Sequence, residues 1–219
     1  MTEPAAGQLR ISEIFLSLQG ETSTVGLPTV FVRLTGCPLR CQYCDTAYAF
    51  SGGEVMNLED ILARVRGLGV TRVTVTGGEP LAQPACHELL TNLCEEGFAV
   101  SLETSGALDV AGVDERVAKI IDVKTPGSAE VSRNRWENLS HCGERDQLKF
   151  VICHREDYEW ARLKCEEHGL FDGPSEVLFS PSSMELPARD LADWIVHDRL
   201  PVRMQIQLHK YLWGDEPGR

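Results

Sequence analysis

The sequence lacks several features that would point to whole classes of protein. Its 219 residues contain no apolar run near the roughly 20 residues that a membrane-spanning helix needs. The opening residues, MTEPAAGQLR, have no basic region followed by an apolar stretch, so we expect no signal peptide and a cytoplasmic location. Basic residues are few, 21 against 33 acidic ones, and the net charge of −12 argues against a surface built for nucleic-acid phosphates. A small-molecule partner suits this balance better.

The sequence also lacks a linker, a break in composition and a low-complexity segment. We therefore expect a single domain over residues 1–219, with disordered ends at residues 1–8 and 215–219.

Short β-branched runs alternate with amphipathic stretches along the chain. TVFVRLT at residues 29–35 predicts a strand, and NLEDILARVRGLG at residues 57–69 predicts a helix. The alternation continues to a last predicted strand, VRMQIQLHKY, at residues 202–211. Such a pattern implies right-handed parallel βαβ units. Because six or seven strands are too few for a closed eight-stranded barrel, we predict an α/β fold with a partial, open parallel β/α barrel.

Polar or glycine-rich segments follow most of the predicted strands: GCPLRC, TGGEP, ETSG, KTPGS, SPSS and HKY. Loops attract glycine, proline and serine in any protein, but that tendency does not account for Glu, Lys and His at the same strand ends. Since ligands collect at the carboxyl ends of parallel strands, we expect these segments to form one shared site.

Cysteine is plentiful, and three of the eight cysteines form a compact motif. Cys37, Cys41 and Cys44 lie in the run GCPLRCQYCDT with C-x-x-x-C-x-x-C spacing. Three thiolates on one loop would leave one iron of a four-iron cluster without a protein ligand. The alternatives are a zinc site or three unrelated core cysteines. Zinc sites more often combine two C-x-x-C pairs, and this sequence has no second pair.

The other five cysteines are scattered through predicted helices and strands. We expect them to be reduced and mostly buried as small hydrophobic residues. Cys142, which lies between a histidine and a glycine, is the candidate for an additional role. The five are Cys86, Cys94, Cys142, Cys153 and Cys165.

A second motif, Gly77-Gly78-Glu79-Pro80, follows a predicted strand. Its glycines would let the backbone approach a ligand closely, and its carboxylate can hold a cationic amine. Together with the cysteine motif it resembles the radical SAM superfamily. The resemblance implies that a reduced [4Fe–4S] cluster passes an electron to S-adenosylmethionine (SAM), and that the resulting 5′-deoxyadenosyl radical takes a hydrogen atom from the substrate. The three cysteines are then ligands rather than nucleophiles.

The segments around these motifs narrow the resemblance. The run Leu18-Gln19-Gly20-Glu21 precedes Arg33 on the strand that enters the cysteine loop, and ETSG, DVK and QLHKY follow at later strand ends. This ordered set covers nearly the whole chain and resembles the 7-carboxy-7-deazaguanine synthase family. The resemblance implies a lyase of queuosine biosynthesis, a tRNA modification pathway. Its reaction contracts the ring of 6-carboxytetrahydropterin with loss of ammonia and uses SAM catalytically.

The resemblance also implies roles for individual residues. Thr46 would ligate Mg²⁺, a hard cation that prefers oxygen ligands, although Thr46 could instead cap the next turn. The implied SAM contacts are Tyr43, Cys44, Asp45, Gly78, Glu79, Thr125, Pro126 and Ser180. The implied substrate contacts are Leu18, Gln19, Gly20, Glu21, Arg33, Thr76 and Glu103. The commoner family form is LQGEG, and here Thr22 follows Glu21, which leaves the conformation of that loop open.

The resemblance further implies a flavodoxin- or ferredoxin-type electron donor and a homodimer. The roles of His209 and Lys210, near the end of the last predicted strand, stay open. Two other functions compete. A glycyl-radical-enzyme activase would share the cysteine motif but would have no use for a pterin-reading set such as Gln19, Glu21 and Arg33. A non-catalytic iron–sulfur or zinc module would not require the GGE motif.

Overall fold

The computed structural model describes residues 4–214, 216 and 218, and it contains one nine-stranded sheet. The strands are β1 (Gln8–Leu18), β2 (Pro28–Leu34), β3 (Glu54–Asn57), β4 (Arg72–Gly77), β5 (Ala99–Thr104), β6 (Ala118–Val123), β7 (Gln147–Ile152), β8 (Glu176–Pro181) and β9 (Arg203–Met204). Their order in the sheet is β3-β1-β2-β4-β5-β6-β7-β8-β9. The seven strands from β2 to β9 in this order run parallel, whereas β1 is antiparallel to both β2 and β3.

Five helices connect or follow the strands: α1 (Leu58–Gly67), α2 (Cys86–Glu95), α3 (Arg155–Glu167), α4 (Ala188–Asp198) and α5 (Leu208–Trp213). The open parallel β/α architecture is confirmed. The predicted six or seven strands correspond to the parallel part of the sheet, and the antiparallel pair β1 and β3 extends it at one edge. No helix among the described residues is long and apolar enough to cross a membrane.

The sheet separates two environments by the alternation of side chains along each strand. On β4, Val73 and Val75 belong to the hydrophobic core that also contains the buried residues of α1 to α4. Between them, Thr74 points to the opposite, inner face, where its hydroxyl lies 3.2 Å from the Gln19 amide nitrogen. The same alternation on β5 to β7 places polar and charged side chains inside the curve of the sheet. Each of these strands therefore has apolar side chains on the face that packs against the core and polar side chains on the face that lines the cavity.

The prediction of a last strand at residues 202–211 is wrong beyond Met204. Only Arg203 and Met204 pair with β8, and the chain then forms helix α5. The reason is tertiary, because the backbone N–H of Leu208 donates to the carbonyl oxygen of Gly20 at 2.9 Å. This bond draws the chain away from the sheet edge, so alternating residues that read as a strand instead lead into a helix over the inner face.

The predicted N-terminal tail is partly structured, because Gln8 opens β1 and pairs with Asn57. The carbonyl oxygen of Gly7 also accepts a hydrogen bond from the N–H of Leu58 at 3.2 Å. The remaining tail predictions for residues 1–3, 215, 217 and 219 lie outside the described residues.

Tyr158 ties α3 to α4 and provides a test of this packing. Its buried hydroxyl lies 2.7 Å from the Asp198 carboxylate. Tyr158→Phe removes this hydrogen bond and leaves a carboxylate oxygen with one partner fewer, so we expect the free energy of unfolding to fall by about 1 to 2 kcal/mol. Urea unfolding curves measure the change. Tyr211→Phe, at a side chain that is 80% exposed, is the control and should change stability by less than about 0.5 kcal/mol.

Candidate active site

A cavity lies inside the curve of the sheet, at the carboxyl ends of the parallel strands. Its wall is built from the end of β1, the cysteine loop, the ends of β4 to β8 and the start of α5. All seven predicted substrate contacts line it: Leu18, Gln19, Gly20, Glu21, Arg33, Thr76 and Glu103. The sheet thus brings together residues that the sequence separates by more than eighty positions.

The cysteine loop forms one side of this cavity, and Cys37, Cys41 and Cys44 all line it as half-buried free thiols. Backbone hydrogen bonds hold the loop, from the N–H of Gly36 to Ala49 at 2.8 Å and from the N–H of Gln42 to Ser128 at 3.1 Å. Burial raises the pKa of Cys41 to about 11. Binding to a metal centre would hold the Cys41 sulfur as a thiolate at neutral pH.

The three thiols belong to one loop and line one wall of the cavity. The thiolates of a four-iron cluster bind separate irons, so a loop with three cysteines supplies ligands for three of them. Next to the thiols, the Tyr43 side chain lies near Thr125, and its buried hydroxyl makes no hydrogen bond of normal geometry with any described residue.

The GGE motif contributes backbone, rather than its carboxylate, to the wall. Gly77 and Gly78 line the cavity, and a side chain at Gly78 would overlap the carbonyl oxygen of Gly36. Glu79 is fully buried behind them and accepts hydrogen bonds from the N–H of Leu81 at 3.0 Å, the hydroxyl of Thr104 at 2.9 Å and the N–H of Ser105 at 2.7 Å. Its carboxylate therefore braces the ends of β4 and β5 against each other.

Of the other predicted SAM contacts, some line the cavity and some lie outside its wall. Tyr43, Cys44, Asp45 and Ser180 line the cavity. Thr125 is buried outside the wall, where its hydroxyl donates to the carbonyl oxygen of Val151 at 2.8 Å. Pro126 is exposed and does not belong to the wall either.

Helix α5 reaches across the cavity mouth to the residue that follows the cysteines. The Gln207 amide donates to Asp45 Oδ2 at 3.0 Å, and Lys210 Nζ lies 3.2 Å from the same oxygen. Burial acts to raise the pKa of Asp45, but these partners outweigh it and hold that pKa below its usual range. Thr46 does not cap the following turn with its side chain, and its hydroxyl donates to Asp45 Oδ1 at 2.9 Å.

The same helix fits tightly over the loop between β1 and β2. His209 packs so closely on Gly20 that a Cβ atom there would overlap the imidazole ring. Next to Glu21, Thr22 has φ = +67°, a left-handed conformation that is uncommon for a β-branched residue. Its N–H donates to the Gln205 side chain at 2.8 Å, which helps to hold this conformation. The glycine of the commoner family form would adopt it without steric cost.

The predicted pterin readers form a connected polar set. The Gln19 amide nitrogen lies 3.4 Å from Glu103 Oε1, and the Thr76 hydroxyl donates to Glu103 Oε2 at 3.0 Å. Burial raises the pKa of Glu103, opposed by Lys149 and reinforced by the nearby Glu21 carboxylate. Carboxyl and amide groups in this arrangement can exchange paired hydrogen bonds with a heterocycle.

Arg33 lies on β2 directly beside Thr76 of β4 and also lines the cavity. Its Nε donates to Glu13 Oε1 at 2.7 Å, and its side chain is only 16% exposed. The guanidinium lies about 6.0 Å from the ring centre of Phe15 and 5.9 Å from that of Tyr48. This surrounding fixes one edge of the guanidinium and leaves its Nη groups as donors for an anionic ligand.

The sequence analysis missed Lys149, a largely buried cation that lines the cavity. Lys149 lies in the middle of β7, and its Nζ is 2.8 Å from Glu21 Oε2 and 3.6 Å from Asp122 Oδ2. The only local signal is a lysine between the buried residues Leu148 and Phe150, which marks an inward-facing charge but names no partner.

The five remaining cysteines have structural surroundings. Cys86, Cys153 and Cys165 are buried, and Cys94 packs against the core. Cys142, the candidate for a further role, donates its thiol to the carbonyl oxygen of Asn138 at 3.3 Å and packs against the core. All five are free thiols, as predicted.

Comparisons with known proteins find relatives that cover nearly the whole chain. The model of the Radical SAM superfamily matches residues 31–131. The 7-carboxy-7-deazaguanine synthase of Chlorobaculum tepidum is 45% identical over 211 residues, which cover 95% of this chain and 96% of that protein. The 7-carboxy-7-deazaguanine synthase of Koribacter versatilis is 42% identical, and the aligned region covers 95% of this chain and 98% of that protein. The crystal structure of QueE from Escherichia coli superposes with a TM-score of 0.75 at 26% identity, over 92% of this chain and 95% of that one.

Gly78 provides a test of how the cysteine loop is held. A methyl group at this position would overlap Gly36 and crowd Cys37, so Gly78→Ala has to displace the loop. We expect the iron bound per chain after anaerobic reconstitution to fall severalfold, because the three thiols no longer face one cluster. Gly67→Ala on α1, where no atom lies within 4 Å of the added Cβ, is the matched control. Equal iron content in both variants would contradict this account.

Proposed function

The chain belongs to the 7-carboxy-7-deazaguanine synthase family of the radical SAM superfamily, and on that premise we propose how its cavity serves the family's reaction. That reaction contracts the ring of 6-carboxytetrahydropterin to 7-carboxy-7-deazaguanine with loss of ammonia, in queuosine biosynthesis. The observation that carries the proposal is one cavity in which the cysteine loop faces the residues of the LQGE run and Arg33. An activase would instead need an open surface for a protein loop.

We assign the cluster to Cys37, Cys41 and Cys44, which leaves one iron open to SAM. When bound, these groups supply the radical that takes a hydrogen atom from the substrate. Tyr43, Asp45 and Ser180 line the neighbouring wall and would contact SAM. The Gly78 backbone would approach its methionine part, a role that needs the absence of a side chain. Glu79, Thr125 and Pro126 would then act from behind the wall.

We also propose that Thr46 binds Mg²⁺. Because its hydroxyl hydrogen is donated to Asp45, the oxygen lone pairs remain for a hard cation. Gln207 and Lys210 keep Asp45 ionised and in place, which favours that orientation of the hydroxyl. Substrate oxygens and water would complete the coordination.

Two kinds of group would hold the substrate. Gln19, Glu21 and Glu103 offer amide and carboxyl groups to the pterin edge, and Leu18, Gly20 and Thr76 also line the cavity there. Arg33, beside Thr76 on the neighbouring strand, offers a planar pair of donors to the substrate carboxylate. The pterin edge and the carboxylate would therefore both be bound, which holds the substrate in one position relative to the cluster.

The proposal extends to the whole chain and its partners. We propose a single domain, supported by one sheet whose strands run from Gln8 to Met204, and a cytoplasmic location, supported by eight free thiols. A homodimer and a flavodoxin- or ferredoxin-type donor follow from the family. The exposed Arg40, Arg133 and Arg135 support an acidic donor, since they lie on the cysteine loop and the segment after β6, which a hydrogen bond from Arg40 to Glu130 joins.

The Arg33 assignment predicts a separation of substrate binding from cluster assembly. We expect Arg33→Ala to raise the KM for the pterin about tenfold to a hundredfold, because a charge-assisted hydrogen bond is lost. The brown absorbance of the cluster should remain at the wild-type level. Arg64→Ala, an exposed position on α1, should change neither quantity. Loss of the cluster absorbance in Arg33→Ala would show that the arginine supports the loop instead.

The proposed reaction has a direct test. Anaerobically reconstituted protein with SAM, Mg²⁺ and a reductant should convert 6-carboxytetrahydropterin to the deazaguanine acid, with SAM recovered after many turnovers. Omission of Mg²⁺ should lower the rate. If the loaded protein cleaves SAM to 5′-deoxyadenosine but leaves the pterin unchanged, the substrate assignment fails and the superfamily assignment survives.

A further inference from the structure

The Lys149 side chain lies within a group of three carboxylates at the floor of the cavity. Its Nζ is 2.8 Å from Glu21 and 3.6 Å from Asp122, and its side chain is 13% exposed. The third carboxylate, Glu103, lies on β5 and also lines the cavity. Asp122 has a second cation, because Lys124 Nζ lies 3.1 Å from its Oδ1. Glu21 has Lys149 as its only ion-pair partner among the described residues.

Glu21 depends on this contact for its orientation. It lies in the loop between β1 and β2, and both of its side-chain contacts within the described chain involve Oε2: Lys149 at 2.8 Å and the Gln205 amide at 3.5 Å. The Gln205 contact is too long to fix a side chain. Oε1 is therefore the oxygen left to accept a hydrogen bond from a ligand.

The positive charge of Lys149 also offsets the repulsion among the three carboxylates. Glu21, Glu103 and Asp122 are largely shielded from solvent, and like charges repel each other more strongly there than in bulk water. Removal of one partner from a buried pair leaves an uncompensated charge. Without Lys149, Glu21 would lose the contact that orients it and would turn away from the cavity, which would remove an oriented acceptor.

We propose that Lys149 is a positioning residue that determines substrate specificity: it holds the Glu21 carboxylate by Oε2 and directs Oε1 at a heterocycle edge with two adjacent N–H donors. The 2-amino group and ring N–H of a pterin form such an edge. A lumazine, in which a carbonyl oxygen replaces the 2-amino group, lacks one of these donors and places that oxygen, an acceptor, against the carboxylate. This inference rests on the proposed function, since it concerns how the same cavity selects its pterin.

A pair of stable, fluorescent ligands tests the proposal by binding alone. Pterin-6-carboxylate and lumazine-6-carboxylate are titrated into the wild-type protein and its variants, and the ratio of their dissociation constants is measured. We expect the wild type to prefer the pterin by about tenfold or more. Lys149→Met should bring this ratio close to one. A purely structural role would weaken both ligands alike and leave the ratio unchanged.

Two further variants keep the test valid if Lys149→Met folds poorly. Glu21→Gln and the double variant Lys149→Met/Glu21→Gln replace the ion pair in steps, and the double variant buries no unpaired charge at Glu21. If Lys149 acts through Glu21, the double variant should bind the pterin no more weakly than Glu21→Gln. Additive losses would show that Lys149 contacts the ligand itself and would overturn the proposal.

Lys119 provides a matched control on the neighbouring strand β6. Its Nζ lies 3.0 Å from Asp146, both side chains are less than 10% exposed, and neither lines the cavity. Lys119→Met should lower stability without changing the ligand ratio. A wild-type protein that binds neither ligand would overturn the proposed substrate class. A wild type that prefers the pterin, together with an unchanged ratio in Lys149→Met, would overturn only the role of Lys149.

Discussion

Each lysine and arginine that lines the cavity has a carboxylate partner. Lys149 pairs with Glu21 and Lys124 with Asp122, and Arg33 pairs with Glu13 across the antiparallel strands. An unpaired charge at this depth would be costly. The pairing therefore decides where the loop of Glu21 lies, which oxygen of its carboxylate stays available, and which edge of Arg33 faces the cavity.

A second constraint is the close approach of backbone at the cysteine loop. Gly78 packs against Gly36 with no space for a side chain, and the buried Glu79 joins the ends of β4 and β5 behind it. Since three thiols have to face one cluster, the loop tolerates little displacement. The GGE motif consequently supports the position of the cysteine loop. Its carboxylate, which in isolation suggests a contact with the methionine amine, is engaged by the protein itself.

Helix α5 connects the two halves of the site. Leu208 and His209 contact Gly20 in the substrate loop, while Gln207 and Lys210 contact Asp45 beside the cysteines. A short segment, residues 207–210, therefore contacts both loops. The alternating pattern of residues 202–211 predicted a strand there, and the prediction failed because contacts with distant loops outweighed a local preference.

The sequence by itself determined the parallel β/α architecture, the cysteine and GGE motifs, and the family, because these depend on spacings within a few residues or on the order of motifs. It also named the seven cavity-lining residues from Leu18 to Glu103 through the family resemblance. Tertiary structure alone decided the burial of Glu79, the helix at the cavity mouth and the pairing of Lys149 with Glu21. These contacts join residues 128 to 162 positions apart in the cases of Glu21–Lys149 and Asp45–Gln207. Their partners depend on strand order and on the path of the loops, which no local pattern encodes.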